Sequence, residues 1–101
     1  MGSFKEIIKG EVPVLVDFHA TWCGPCKMMS PIIDAVKKEF GEQLRVLKVD
    51  VDKNNAASAK YKVRGVPTLL LFKNGEIVWR ESGVKSQNEL RNVIKGVINE
   101  H

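Results

Sequence analysis

Cys23 and Cys26 are the only cysteines in the chain, and just Gly24 and Pro25 separate them. A disulfide between residues this close would close a very small loop. The stabilisation from a cross-link grows with loop length, so the pair is a poor staple. Structural zinc needs four ligands, and beyond the cysteines the chain offers only two histidines, His19 and His101. Haem attachment through C-x-x-C needs a histidine next, and Lys27 stands there. Dithiol redox chemistry remains, with an inert coincidence as the bland alternative. Pro25 suits the first turn of a helix, where no N–H donor is required. A cysteine just ahead of such a helix faces unpaired N–H groups and the positive end of the dipole, which favour the attacking thiolate. Cys23 fits that place as an exposed outer nucleophile. Cys26, one turn further in, fits as a less exposed partner within bridging reach.

The preceding run, 12–18, is nearly continuously β-branched or aromatic, as expected of a strand buried on both faces. Asp17 interrupts it. Burying an ionised carboxylate is costly, and burial raises its pKa, which suits it to exchanging protons near neutral pH. Alone, a strand aspartate is more often structural; beside a dithiol, it can be the base that the inner thiol needs when it attacks.

The other elements follow from periodicity and punctuation. After Pro25, the apolar residues Met29, Ile32, Ile33, Val36 and Phe40 recur at helical spacing until Gly41, with Pro31 expected to bend the helix. Residues 44–51 read as a second strand and 54–61 as a short helix. Two strand-like runs, 68–72 and 76–81, flank Asn74-Gly75, the strongest short hairpin signal. Pro67 opens the first of these runs, a position permitted to a residue that cannot donate to the ladder. Ser86 and Glu89 form a capping box before Leu90, Val93, Ile94, Val97 and Ile98, an amphipathic helix. A second box, Ser3 and Glu6, should open a short first helix that Gly10 ends. The order αβαβαββα joins a right-handed parallel βαβ half to an antiparallel hairpin. No repeat or linker divides the chain, so one domain over residues 1–101 is expected.

The net charge of +4 is scattered along the chain, which reads as a solvated surface and gives no sign of nucleic-acid binding. Lys60, Lys62 and Arg64 form the one local basic group. No run approaches the roughly 20 apolar residues that span a membrane. The N-terminal stretch lacks the apolar core of a signal peptide, and Glu6 stands where a myristoylation signal wants Ser or Thr. A cytoplasmic protein is the expectation.

"WCGPCK" (22–27) resembles the active-site motif of thioredoxins. The resemblance extends to "VLVDF" (14–18), "VPTLLLFKNG" (66–75) and Gly83, and covers about residues 3 to 99. It implies a thioredoxin fold: a mixed sheet flanked by about four helices, here with four strands, because a helix starting near residue 3 leaves no room for the usual first strand. It implies a protein-disulfide reductase in which Cys23 attacks, Cys26 resolves and Asp17 passes protons for Cys26, with Gly24 and Pro25 between the thiols and Lys48 as a modulator. His19 stands where many thioredoxins carry Trp; it either tunes thiol acidity or fills space. Val66-Pro67 matches the family's cis-proline site, and Trp22, Gly65, Val66, Pro67, Gly83 and Val84 would form a shallow apolar groove for an extended substrate segment. Trp79 reads as packing. No tightly bound cofactor is implied. The implied partners are protein disulfides and an NADPH-dependent thioredoxin reductase, and the implied state is a monomer. Two readings stay open beside this one: a thiol oxidase or isomerase in an oxidising compartment, and a binding module that uses the groove without electron transfer.

Overall fold

After Pro13 the chain can donate every backbone N–H to a ladder, and the strand β1 (Val14–His19) begins there. Val12 is left outside it, 38% exposed. The Pro13 carbonyl still accepts from Arg45 N at 2.9 Å, which starts the pairing with the next strand. The structure, a computed structural model, describes residues 2–99. Its elements are α1 (Gly2–Ile7), β1, α2 (Gly24–Phe40), a 3-10 turn (Gly41–Gln43), β2 (Arg45–Asp50), α3 (Asn55–Lys60), β3 (Thr68–Lys73), β4 (Glu76–Ser82) and α4 (Gln87–Ile98). The strands form one mixed sheet in the order β2-β1-β3-β4. β1 runs parallel to β2 and antiparallel to β3, and β3 runs antiparallel to β4. The described residues thus form the expected four strands, with β2 as an edge.

The central strands β1 and β3 are buried at every position but their last. Side chains alternate across a strand, so each strand feeds two cores. Leu15, Leu69 and Leu71 pack under α2 and α4 with Met29, Ile33, Val36, Leu90 and Ile94. Val14, Val16, Phe18, Leu70 and Phe72 pack on the other face, where Phe4 and Ile7 of α1 and Ala57 of α3 join Tyr61. Asp17 shares the parity of Leu15. It therefore points toward α2.

The turns follow their residue chemistry. Asn74 and Gly75 both have positive φ, 55° and 82°, as a tight hairpin turn requires. Ser86 accepts from Glu89 N while the Glu89 carboxylate accepts from Ser86 N, the complete capping box of α4. α2 continues unbroken through Pro31. The first box fails as a helix start. α1 begins at Gly2, so Ser3 lies inside the helix, and the helix ends at Ile7, before Gly10. Beyond its end the chain is tied to the hairpin turn, where Gly75 N and Asn74 N donate to the carbonyls of Ile8 and Gly10 at 2.8 and 3.0 Å. His101 lies outside the described residues.

Leu15 is fully buried at the centre of the sheet. Leu15→Ala is expected to lower stability by about 2–5 kcal/mol in urea unfolding of the oxidised protein. Val12→Ala, one residue before Pro13 and outside the strand, should change it by about 0.5 kcal/mol or less. Equal losses at the two positions would contradict the observed start of β1.

Candidate active site

α2 begins where β1 has delivered the chain to the top of the sheet, and its N-cap is Cys23. Cys23 has extended backbone angles (φ −93°, ψ 112°), as an N-cap does. Its Sγ accepts the backbone N–H of Cys26 at 3.2 Å, taking the role that a serine or aspartate oxygen usually fills. Cys23 and Cys26 are joined as a disulfide with their Cα atoms 5.3 Å apart. Gly24 and Pro25 form the first turn.

Exposure does not separate the two cysteines as the sequence suggested. Cys23 is 3% and Cys26 4% exposed. The reason is the cap itself. Its sulfur turns inward over the helix end, into a small cluster with Ala20, Val51 and Val66, and lies 3.7 Å from the Val66 carbonyl oxygen. What distinguishes the sulfurs is position. Cys23 Sγ sits at the positive end of α2, where the unpaired N–H groups favour a thiolate.

Asp17 is 1% exposed, and its Oδ1 has no hydrogen-bond partner among the described residues. It borders a cleft of about 380 Å³ together with His19, Ala20, Thr21, Cys26, Lys27, Ser30 and Lys48. Burial pushes the Asp17 carboxyl above its ordinary range; the charges of His19 and Lys48 oppose this, and that of Asp34 adds to it. The structure therefore brings Asp17, Cys26, His19 and Lys48 to one cavity. Lys48 is not a free surface residue. Its Nζ donates to Ser30 Oγ and Asp34 Oδ1, both at 2.7 Å.

Around the disulfide the surface is open. Trp22 is 70% exposed, and its Nε1 donates to Asp52 Oδ2 at 2.9 Å, which fixes the indole. The Val66–Pro67 bond is cis. Thr68 Oγ1 donates to the Gly65 carbonyl at 2.6 Å, and Gly83 N donates to the Pro67 carbonyl at 2.9 Å. Gly83 itself has a positive φ, 89°, a conformation glycine adopts without strain. Trp22, Gly65 and Val66 line one small recess with Val51, Val63 and Arg64. Pro67, Gly83 and the exposed Val84 lie outside that recess. Trp79 packs on the core, as the sequence suggested.

Three partners escaped the sequence reading. Ser30 and Asp34 follow Cys26 at successive four-residue steps along α2, so their spacing alone placed them on the face of the inner cysteine. Asp52 carried no comparable signal, because its contact with Trp22 spans 30 residues.

Comparison with known proteins agrees with this geometry. The family model described as Thioredoxin matches residues 1–96. A thioredoxin of Rickettsia conorii is 46% identical over 86 residues, covering 85% of this chain and 82% of its own. One from Porphyra purpurea is 42% identical over 97 residues, covering 95% and 91%. Among solved structures, a mutant thioredoxin from Halobacterium salinarum NRC-1 superposes with a TM-score of 0.90 at 35% identity, over 100% of this chain and 88% of that one.

The burial of Asp17 has a consequence for stability. A carboxyl whose pKa is raised by folding is tolerated when protonated and costly when ionised. Wild-type stability should therefore fall as pH rises from the unfolded-state value of about 3.9 through the raised folded-state one. Asp17→Asn should stabilise the oxidised protein by about 1–3 kcal/mol at neutral pH, because a neutral amide is less costly to bury than an ionised carboxylate, and by much less at acid pH. Urea unfolding at both pH values checks this. A pH-independent difference would show that ionisation of Asp17 is not the cause.

Proposed function

The chain belongs to the thioredoxin family and is a protein-disulfide reductase working by dithiol–disulfide exchange, and from that premise we propose the following division of labour among its residues. Cys23 is the nucleophile, Cys26 the resolving thiol and Asp17 the proton acceptor for Cys26. One observation carries this assignment. Cys23 Sγ, and not that of Cys26, accepts an N–H at the start of α2 and lies 3.7 Å from the Val66 carbonyl oxygen, with the exposed Trp22 as the preceding residue.

In the reduced protein the Cys23 thiolate attacks one sulfur of a substrate disulfide. A Cys23–substrate bond forms, and the other substrate sulfur leaves as a thiolate that takes up a proton. Asp17 then accepts the Cys26 proton. The Cys26 thiolate attacks Cys23 Sγ, the mixed disulfide breaks, and the second substrate thiolate leaves. Two electrons pass to the substrate, and the protein is left with the Cys23–Cys26 disulfide. Its return to the dithiol requires an external reductant, for which we propose an NADPH-dependent thioredoxin reductase.

Substrate main chain would lie along Val66, beside cis-Pro67. Among the described residues no other backbone group pairs with that of Val66, which leaves it free to pair like an added strand. Trp22 and Val84 would flank the segment with apolar surface. Gly65 and Gly83 shape the backbone around it through their bonds to Thr68 and Pro67. Such pairing reads little side-chain identity, so the substrates would be varied. The reading includes a monomer, a single domain over residues 1–101 and a cytoplasmic location.

Two outcomes test the roles. Cys26→Ser in cells should accumulate reductant-sensitive adducts on Cys23 with several proteins, whereas Cys23→Ser should trap far fewer; equal trapping by both would overturn the assignment. Asp17→Asn should slow resolution of the mixed disulfide by about 100-fold or more, the low end of general-base effects, and leave its formation nearly unchanged. Stopped-flow measurement of both steps checks this. Unchanged resolution would remove Asp17 from the proton path.

A further inference from the structure

Asp17 and Lys48 are register partners on the adjacent parallel strands β1 and β2, and their side chains share the face that α2 covers. Opposite charges placed so would ordinarily pair across the strands. Here they do not. Lys48 Nζ donates to Ser30 Oγ and Asp34 Oδ1, and among the described residues Asp17 Oδ1 has no partner. The two acceptors stand one and two turns beyond Cys26 on the same face of α2. Together they give the ammonium two oxygens where it keeps contact with water, its side chain being 33% exposed and that of Asp34 67%. Moving it against the buried carboxyl would cost it hydration.

We propose that Ser30 and Asp34 are positioning residues: a clamp that holds the Lys48 ammonium at the rim of the cleft and off Asp17, leaving the carboxyl free to exchange a proton with Cys26. The proposal rests on the reading of Asp17 as the proton acceptor. Without the clamp, Lys48 could swing onto Asp17 and hold it as an ionised, weaker base. The charged and titratable groups that face Asp17 are His19 on β1, Lys48 on β2, and Cys26, Lys27 and Asp34 on α2. Its partner on β3 is the uncharged Leu69.

Loss of the Asp34 charge acts on Asp17 in two ways of the same sign. It releases Lys48, and it withdraws a nearby negative charge. A double-variant cycle separates them. The titration of the Asp17 carboxyl, followed by 13C NMR in the intact oxidised protein, should shift to lower pH in Asp34→Asn. It should shift the same way, by less, in Ser30→Ala. In a Lys48→Met background, Asp34→Asn should shift it by roughly half as much or less. Equal shifts in the two backgrounds, or none in either, would overturn the clamp. Resolution rates of the mixed disulfide are the second readout. A weaker base should lower the plateau rate of Asp34→Asn by about two- to fivefold, a small part of what general-base catalysis supplies. A shifted titration with unchanged rates would support the clamp and overturn instead the role of Asp17 as base.

Discussion

The 3.2 Å bond from Cys26 N to Cys23 Sγ organises the active end of this molecule. Sulfur is a weak hydrogen-bond acceptor, so as an N-cap Cys23 contributes less to helix stability than serine or aspartate would. It gains on another count. As a thiolate, the same sulfur would accept the same N–H as a charge-assisted bond, which is roughly twice as strong. The start of α2 is thus tied to the redox state of its own cap. Everything else at the site sets the height and direction of this helix end: Ala20 and Val66 packed beside it, β1 leading into it, and α4 holding α2 on the sheet.

β1 does that leading because it is the central strand of the parallel half. It has β2 on one side, β3 on the other and a core on each face. A strand so placed has no freedom to slip, since a shift of one residue would exchange its two faces. Register then becomes chemistry. Leu15 and Asp17 lie under α2, Leu15 beneath its apolar body and Asp17 in the cleft at its first turns. The neighbouring strand places Lys48 opposite Asp17 and Val46 opposite Leu15. On each strand one apolar position followed by polar ones divides that face into a core and a site.

Much of this was legible before any coordinates. Asn74-Gly75 marked the hairpin, Ser86 and Glu89 marked the start of α4, and the cysteine spacing marked the chemistry, because each signal is complete within a few residues. What was not legible depends on partners far apart in sequence. The burial of Cys23 requires Val66, 43 residues away. The pairing of Lys48 with Ser30 and Asp34 requires the parallel register of β1 and β2. The Ser3 and Glu6 box had the right residues and opened nothing. The short α1 is instead held by tertiary contacts: Phe4 packs at 5.7 Å from Tyr61 and 6.3 Å from Phe72, and the hairpin turn binds the carbonyls of Ile8 and Gly10 just beyond the helix.

The position of Asp17 shows why stability and activity make different demands on one sheet. By alternation alone, residue 17 belongs to the apolar stripe that Leu15 begins and that Leu69 and Leu71 border from β3. A leucine there would remove an unsatisfied carboxyl oxygen from the interior. Net folding stability of a domain is only about 5–15 kcal/mol, so a cost of even about 1–3 kcal/mol for one such group is a substantial fraction. The sheet tolerates it because the loss is confined to the end of the stripe, where the apolar core gives way to the cleft. Further toward the centre of β1, the same carboxyl would face Met29, Ile33 and Leu90 on the α2 side, with no route for a proton to or from water. Further toward its end, at His19, it would be half-exposed and lose the burial that keeps it protonatable. Residue 17 is the position on the strand that is both buried and on the cleft that Cys26 lines. There the pattern of the sequence gives way to the chemistry of the site.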